Sequence, residues 1–462
     1  MNVSRTALLL AGVLAGCASN PAVSVPDGPD KGSAPVTRKT RNRAKRLTVE
    51  AAIDEALASN RTVAQARLNR AIAGTSTREA RSALLPQAGF RGGVRRVDEA
   101  PRAVASEIPG GGFSVGPRDV WSADFNINFP IFAFGRYLNN FRAARFAEQQ
   151  SEAQRDATES DVAAAVTAAA FDMLENLRGI KTALADEEAR ERTVRDSEAL
   201  FAAETVTRDA VLESKVQYDL ARRRRELLES FTPVLRMRLN LLLGRPAHAP
   251  TEIIDAPEKR PPVWRLDGLE DEALARRAEL RAARLAVKAS ERALRSTIGG
   301  ELGEVRGNLT WETDNSPFRS PEDSASVQVT LEVPIFTAGG RGARIRRSRY
   351  ALEVQQLQLR ELETQIRIEV ADALRAAQQS FADIEVAERS IERAQESLRI
   401  QREKFNNGRA TSQEVLISTS LLTDARFNYN NALYTYNVAL RELHRARGAD
   451  PRKGPFADVG GS

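Results

Sequence analysis

The sequence contains one cysteine and two histidines among its 462 residues. With only Cys17, His248 and His444, the chain has almost nothing from which to build disulfides, metal sites or histidine-based catalysis. It also lacks a glycine-rich phosphate loop and the Ser/His/Asp set of a hydrolase. We therefore predict no cofactor, no metal site and no enzymatic activity, and we expect both histidines to lie on the solvated surface.

Aromatic residues are also scarce, at 6% of the chain, whereas charged residues make up 28%. This composition, rich in alanine, leucine, arginine and glutamate, predicts long helices. The formal net charge of +6 raises nucleic acid as a partner. Because arginine and glutamate are interspersed along the helical segments, solvated helix faces explain the charge better, and we predict no nucleic-acid partner.

The N-terminus has the pattern of an export signal. Arg5 precedes an apolar run too short to span a bilayer as a helix, so residues 1–16 are predicted to be a signal peptide. The run ends in Leu-Ala-Gly before Cys17, which resembles the lipobox of bacterial lipoproteins. That resemblance implies lipidation (palmitate) of Cys17, and Ala18 after it favours the outer membrane. The alternative is a chance thiol near a cleavage site. Residues 17–46, rich in Pro, Gly and Ser, are predicted to be a tether.

The same segments occur twice in the chain at a fixed spacing. Phe129–Phe132 (FPIF) returns as Val333–Phe336 (VPIF), and 204 residues (334 − 130) separate the two prolines. Other matched segments keep that spacing, so the chain is a tandem duplication. The predicted parts after the tether are repeat 1 (47–248), a proline-rich connector (249–265), repeat 2 (266–448) and a C-terminal tail (449–462).

Within each repeat the spacing of hydrophobic residues changes from a helical period to a period of two residues. This change predicts two strands per repeat. Such alternation fits a half-buried globular sheet or a membrane barrel wall, for which strands of about 9–11 residues suffice. Charges on the polar faces favour the wall, as do Trp121 and Trp311, which are placed near the hairpin loops where an aromatic girdle would lie. Since about eight strands form the smallest barrel, several copies must contribute. The four segments are Ala88–Val94, Trp121–Phe129, Val305–Trp311 and Ala325–Val333.

After each Pro-Ile-Phe segment the helical period persists for an unusual length. Helices are predicted over about Arg136–Ala202 and Arg341–Phe405, each approaching about 100 Å at about 1.5 Å per residue. Each long helix breaks and returns as a second helix, which ends at Gly244 or Gly448. A seven-residue spacing predicts a coiled-coil seam. Its members are Val370, Ala377, Ile384, Ile391 and Leu398 in repeat 2, and Val166, Met173, Ile180 and Val194 in repeat 1.

Two further local signals frame these helices. One amphipathic helix is predicted ahead of each strand pair, at Leu47–Leu85 with Thr48 as a possible cap, and at about Leu266–Ile298. At the hairpin break, Gly408 suits a left-handed turn, whereas Glu204 at the matching place suits it less.

Together, these features resemble the outer membrane factor family of the TolC/OprM type. The lipobox, the duplication, the strand pair ending in Pro-Ile-Phe and the hairpin Phe405–Leu416 (FNNGRATSQEVL) carry the resemblance across nearly the whole mature chain. It implies mixed α and transmembrane β structure: a homotrimer whose twelve-stranded β-barrel, four strands per chain, continues into a periplasmic barrel of helices. It also implies a periplasmic adaptor and an inner-membrane transporter, of the RND or ABC type, as partners.

The resemblance also assigns roles to the hairpin tips. Adaptor contact is implied for Phe201, Val206, Thr207, Phe405, Gly408 and Thr411. Glu414 matches an acidic position that narrows the pore, but the next acidic position of the family is Ile417 here, and in repeat 1 the position falls on Ala210, beside Asp209. Asp209 and Glu414 are therefore the candidate pore residues. Alternatively, both acids only stabilise helix N-termini.

The leading functional hypothesis is a passive exit duct in the outer membrane that exports small molecules, such as drugs and toxic compounds, or proteins. A periplasmic adaptor or structural coiled-coil lipoprotein is the alternative. It would explain the lipobox and the helical hairpins, but not the duplicated strands with one apolar face. A cell-envelope hydrolase is a third alternative. The sequence does not identify the cargo.

Overall fold

The computed structural model describes residues 45–96, 98, 102–104, 112–114, 119–254, 257–314, 323–407 and 409–454. The predicted signal peptide, the predicted lipidation site Cys17 and the predicted turn residue Gly408 lie outside these ranges. The described residues form eight helices, which we label α1–α8, and eight strands, β1–β8.

Two long helical hairpins dominate the fold, as the sequence predicts. Helix α3 (Arg136–Ala202) returns through α4 (Arg208–Leu242), and α7 (Gly340–Asn406) returns through α8 (Ser412–Ala446). The long helices have 67 residues each and the return helices 35 each. All four boundaries of the second hairpin follow those of the first at the spacing that separates the two prolines, so the duplication holds at the level of single residues.

Each of the other predicted helices is two helices in the structure. The first consists of α1 (Val49–Ser59) and α2 (Arg61–Ser82), and the second of α5 (Leu266–Arg276) and α6 (Ala278–Gly300). The predictions of one continuous helix over 47–85 and over about 266–298 were therefore wrong. Asn60 ends α1 in an extended conformation, and its side-chain oxygen accepts a hydrogen bond from the Thr62 amide at 2.7 Å, so it caps α2. Thr48 caps α1, as predicted.

A four-stranded antiparallel sheet lies between these helices along the chain. It contains β2 (Gln87–Arg96), β5 (Asp119–Phe132), β7 (Glu304–Asp314) and β8 (Asp323–Glu332), in the order β2-β5-β7-β8. Both predicted hairpins are present, and β5 joins them by pairing with β7. The segments β3 (Arg102–Val104) and β4 (Gly112–Ser114) pair within the first hairpin loop and were not predicted.

A small parallel sheet joins the two ends of repeat 1. Strand β1 (Lys45–Leu47) pairs with β6 (Thr251–Ile253). The end of the predicted tether and part of the predicted connector therefore pair with each other as strands. The bidentate contact of Arg245 with Glu55, at 2.5 and 2.8 Å, holds the same region.

The helices lie side by side in the same order as the strands to which they are joined along the chain. Helix α2 leads into β2, β5 into α3, α6 into β7 and β8 into α7. Correspondingly, α2 packs on α3, α3 on α6, and α6 on α7. Further from the sheet, the helices lie side by side in the order α4-α3-α8-α7, because the return helices α4 and α8 occupy the places that α2 and α6 hold near the sheet. Sheet and helices thus form one continuous layer.

The predicted coiled-coil seam is correct at four of its five positions in repeat 2, where Ile391 is only half-buried, and at two of its four positions in repeat 1. Val370, Ala377, Ile384 and Leu398 are buried, as are Val166 and Met173. Ile180 and Val194 are only half-buried. The buried positions of that part of α3 are small or polar, because the facing helices meet it with a hydrogen-bonding network described below. They are Gly179, Ala183, Asp186, Arg190, Thr193 and Ser197.

The turn between α3 and α4 has a strained backbone. Glu204 has a φ of +58°, in the left-handed region that disfavours a residue with a Cβ. We expect Glu204→Gly to stabilise this turn by about 0.5–1 kcal/mol, because glycine adopts that conformation without strain. Slower amide exchange at residues 200–209 would report the gain. Glu204→Ala keeps the Cβ and removes the charge, so a similar gain in that variant would show that charge, not strain, is responsible.

Candidate functional site: the two-faced sheet and the hairpin tips

One face of the four-stranded sheet is apolar across its full width. Residues directly opposite each other on paired antiparallel strands lie on the same face of the sheet. The strand register therefore shows which residues form each row across the four strands. One row contains Phe90, Phe125, Trp311 and Ala325, and the next contains Ala88, Ile127, Leu309 and Val327. These side chains do not cover a core of their own chain, since Phe90 is 73% exposed and Val327 is 74% exposed.

The opposite face is polar. Gln87, Asn128, Asn308 and Gln328 form one row, and the Asn308 amide donates to the Asn128 side-chain oxygen at 2.6 Å. Arg91, Asp124, Glu312 and Ser324 form another. A sheet with one apolar and one charged face separates an apolar medium from water. Within the described part of the chain, no helix has the length and apolar character that a bilayer span requires.

Both candidate girdle residues lie on the apolar face. Trp121 pairs with Val94 near the loop end of β5, and Trp311 lies three residues before the loop end of β7. They are not level, however, because Trp311 pairs with Phe125. Four residues separate Trp121 from Phe125, which corresponds to about 13 Å along the strand. Trp311 therefore shares its level with Phe90 and Phe125.

The first hairpin tip presents polar and apolar side chains to solvent. Phe201 is 45% exposed at the end of α3, Val206 is half-buried, and Thr207 occupies the N-cap position of α4. The Thr207 hydroxyl and nearby backbone amides hydrogen-bond Asp209 and hold its pKa below the ordinary range. Because the pKa is lowered, the charge of Asp209 is present at neutral pH, and it is lost only when the pH falls below the range in which an ordinary aspartate titrates.

The second tip is organised by a capping box. The Glu414 amide donates to the Thr411 hydroxyl at 3.3 Å, and the Glu414 carboxylate accepts from the Thr411 amide at 3.2 Å. Phe405 is 9% exposed and packs with Leu398 and Val415 in the core of the tip. It supports the tip from within, whereas Phe201, at the matching position of the first tip, presents its ring to solvent.

The capping geometry allows the two possible roles of Glu414 to be separated. We expect Glu414→Ala to destabilise the start of α8 by about 0.5–1 kcal/mol, because a cap is lost. Glu414→Gln keeps a side-chain oxygen for the Thr411 amide and removes only the charge. Amide exchange over residues 409–418 should therefore rise in the alanine variant and stay near wild type in the glutamine variant. Equal rises in both would contradict the assigned cap.

A buried network that the sequence did not reveal joins the two hairpins above the tips. Arg190 and Asp186, one turn apart on α3, form an ion pair at 3.0 Å with side chains only 7% and 3% exposed. Arg190 also donates to Gln217 of α4 and to Ser420 of α8, each at 3.0 Å. Thr423 of α8 donates to Asp186 at 2.8 Å. The only sequence signal is the i,i+4 Asp/Arg spacing on the seam side of α3.

The prediction that both histidines lie on the surface was wrong for His444. His248 is exposed, but His444 is 2% exposed at the end of α8. Its Nε2 lies 2.8 Å from the Asp450 carbonyl oxygen, and its Nδ1 lies 3.2 Å from an Arg447 nitrogen. A neutral ring protonated at Nε2 satisfies both contacts. His444 thus fastens the first residues of the C-terminal tail to α8.

The fold and the two-faced sheet define a membrane-wall protein whose wall continues into long helical hairpins. The sequence matches the family model described as outer membrane efflux protein over residues 52–245 and 269–449. The chain therefore belongs to the outer membrane efflux protein family, and the resemblance drawn from the sequence is confirmed. As a member, it is an outer-membrane exit duct of an efflux system.

Relatives and solved structures agree with this assignment. Outer membrane protein TolC of Vibrio cholerae is 24% identical over 387 residues, which are 80% of this chain and 83% of that protein. The crystal structure of outer membrane protein VceC from Vibrio cholerae matches with a TM-score of 0.76 at 18% identity, over 87% of this chain and 96% of VceC. The open-state MtrE outer membrane channel of Neisseria gonorrhoeae matches with a TM-score of 0.73 at 21% identity, over 87% of this chain and 89% of MtrE.

Proposed function

We propose that three copies of this chain form a passive, energy-independent duct that spans the outer membrane and extends into the periplasm. The observation that carries the proposal is the sheet with one apolar and one polar face, whose terminal strands β2 and β8 each have one neighbour among the described strands. Lipid does not tolerate unpaired strand edges. Four strands are too few for a barrel, whereas three copies supply twelve.

The helices support the same arrangement. They continue the strands in the same order, so a ring that closes the sheet also closes the helical layer. Each 67-residue helix is about 100 Å long at about 1.5 Å per residue. A ring of such helices would enclose a water-filled passage that reaches well beyond the membrane, with the hairpin tips at its far end.

The position of the tips suggests where the partners bind. The exposed residues Phe201, Thr207 and Thr411, together with Val206, offer a docking surface for a periplasmic adaptor protein, and through it for an inner-membrane transporter of the RND or ABC type. Asp209 and Glu414, near the first turns of α4 and α8, would surround the opening and favour cations there. The cargo would be small toxic molecules or a protein, since the transporter selects it.

Two features would fix the duct in the membrane. Lipidation of Cys17 would anchor the N-terminus in the outer membrane. Trp121 would lie at the outer boundary of the apolar band, where aromatic side chains favour the interface. Trp311 would lie further into the band, level with Phe90 and Phe125.

Native mass spectrometry of the detergent-solubilised protein, paired with an export assay, tests the proposal. The expected mass is that of three chains, each carrying a lipid. Cells that lack the protein should accumulate the cargo, and the wild-type gene should restore export. A monomeric protein in mild detergent, extracted with the inner membrane, would instead support the adaptor alternative.

A further inference from the structure

The helices carry an excess of positive charge at the ends that adjoin the sheet. Four segments of fifteen residues at these ends of α2, α3, α6 and α7 together contain thirteen Lys/Arg and four Asp/Glu. Their net charge of +9 exceeds the +6 of the whole chain, so the rest of the chain is slightly acidic. Positive charge is therefore concentrated at one level of the proposed duct. The segments are 71–85, 136–150, 286–300 and 340–354.

Four arginines in these segments form two matched pairs across the repeats. The members in α3 and α7 are 204 residues apart (349 − 145). Those in α2 and α6 are 217 residues apart (295 − 78), which is also the spacing between the starts of β2 and β7. All four residues are exposed, and none forms an ion pair within the described part of the chain. We call them the arginine collar: Arg78, Arg145, Arg295 and Arg349.

One side of the helical layer faces away from the proposed passage. Helix α5 and the first residues of the tail line a cavity on one side of α3 and α6. Because these elements would obstruct the passage from within, that side is the outside of the ring. Residues of α3 and α6 that line the cavity include Glu152, Glu159, Arg284 and Lys288. Arg67 of α2 pairs with Glu159 at 3.5 Å. Glu363 of α7 pairs with Arg284 at 3.7 Å, so α2 and α7 also reach this side.

The arginine collar lies on this outer side. Residues seven, eleven or fourteen positions apart on a helix lie on nearly the same side, because these steps correspond to about two, three or four turns. Each collar arginine is one such step from an outward residue, and it is the member nearer the sheet. The pairs are Arg78 with Arg67, Arg145 with Glu152, Arg295 with Lys288, and Arg349 with Glu363.

The side chains of the collar approach one level although their helix positions differ. Arg78 lies four residues before the end of α2, and Arg295 lies five before the end of α6, which corresponds to about 6–8 Å. Arg145 and Arg349 lie nine residues after the starts of α3 and α7, or about 14 Å. Side chains tilt toward the N-terminus of their helix. That direction leads toward the sheet in α3 and α7 and away from it in α2 and α6, which reduces the difference.

The surface between the sheet and the collar is apolar. Phe132, which is 54% exposed, pairs with Val305 on the apolar face at the end of β5. In the matching segment after β8, Ile335 and Phe336 are 96% and 87% exposed. A change from exposed apolar side chains to exposed arginines within a few helical turns is typical of the level of the lipid headgroups.

We propose that the arginine collar binds the phosphate groups of anionic phospholipids, such as phosphatidylglycerol and cardiolipin, in the periplasmic leaflet of the outer membrane. The inference rests on the proposed duct and adds which lipids its outer surface selects. A guanidinium group binds a phosphate through two parallel hydrogen bonds. Because both repeats contribute to the collar, three copies present twelve arginines around the duct. A membrane surface matches such a ring, whereas a single protein partner would meet only part of it.

Native mass spectrometry of the full-length trimer, titrated with lipid in detergent, tests the inference. The wild type should retain phosphatidylglycerol at least about fivefold more strongly than phosphatidylethanolamine, whose headgroup has no net charge. Arg145→Gln with Arg349→Gln should remove most of this preference and leave the binding of phosphatidylethanolamine near wild type. Equal retention of the two lipids by the wild-type trimer overturns the inference and leaves an acidic protein surface as the partner of the collar.

A second pair of arginines provides the matched control. Arg195 and Arg399 are exposed and also 204 residues apart, but they lie 59 residues after the starts of α3 and α7, about 90 Å away. Arg195→Gln with Arg399→Gln removes the same charge and should leave the lipid preference unchanged. Arg145→Lys with Arg349→Lys keeps the charge and should keep most of the preference.

Two results with these variants contradict the collar. One is an equal loss of preference in the distant pair and the collar pair, and the other is an equal loss in the lysine and glutamine variants of the collar. The same spectra report the mass of the assembly. A wild-type protein that is not trimeric overturns the duct and the collar together, whereas a trimer without lipid preference overturns only the collar.

Discussion

Arg190→Ala is expected to lower the free energy of unfolding of the hairpin region by about 3–5 kcal/mol, because it leaves the Asp186 carboxylate buried without its counter-ion. The Asp186 side chain is only 3% exposed, and Thr423 would be its remaining donor in the network. The loss should appear as faster amide exchange over residues 180–197 of α3 and over the facing part of α8. Both hairpins should respond, because Arg190 contacts α4 and α8 as well as its own helix.

The same helix provides a matched control for Arg190. Arg195 and Glu191 form an ion pair with the same i,i+4 spacing, but their side chains are 64% and 50% exposed. Arg195→Ala should therefore cost less than about 1 kcal/mol. In addition, Asp186→Leu combined with Arg190→Met should recover most of the stability, since a buried pair can be replaced by apolar residues of similar volume. Equal losses for Arg190→Ala and Arg195→Ala would contradict the network.

Val327→Arg should sharply reduce the amount of assembled protein in the outer membrane. Val327 lies on the apolar face of β8, in the central row with Leu309 and Ile127, and is 74% exposed. Placing an arginine near the bilayer midplane of a barrel costs about 2–4 kcal/mol. A trimer would bear that cost three times. The fraction of protein that migrates as a heat-stable trimer measures the effect.

The adjacent residue is the control for Val327. Gln328 lies on the polar face opposite Asn308, so Gln328→Arg places the same charge in the aqueous interior and should leave assembly near wild type. If Gln328→Arg abolished assembly while Val327→Arg did not, the apolar face would pack against protein, and the assignment of lipid and water to the two faces would be reversed.

Much of the fold was predictable because it follows from periodicity. The constant spacing of the repeats, the long helices and the two strand pairs each depend on a pattern that runs over many residues, and the structure reproduces them nearly to the residue. The break at Asn60 was missed because it depends on one side chain that caps the next helix and donates to the Leu242 carbonyl 182 residues away. No pattern along the chain reveals such a contact.

The polar part of the seam was missed for a related reason. A heptad pattern identifies apolar positions, and Ile180 and Val194 satisfied it. The residues that are buried there, Asp186 and Arg190, are stable in that place only because Gln217, Ser420 and Thr423 arrive from two other helices. His444 shows the same limit, since its burial depends on the tail that follows α8.

Single-channel recording of the purified protein in a planar bilayer tests the proposed duct most directly. The wild-type trimer is expected to give a small, cation-selective conductance. Glu414→Gln and Asp209→Asn, which remove the charge while keeping a side-chain oxygen, should raise the conductance or reduce the cation selectivity. Unchanged conductance in both variants would remove these two residues from the opening and leave the duct. No conductance from a correctly folded trimer would contradict the duct itself.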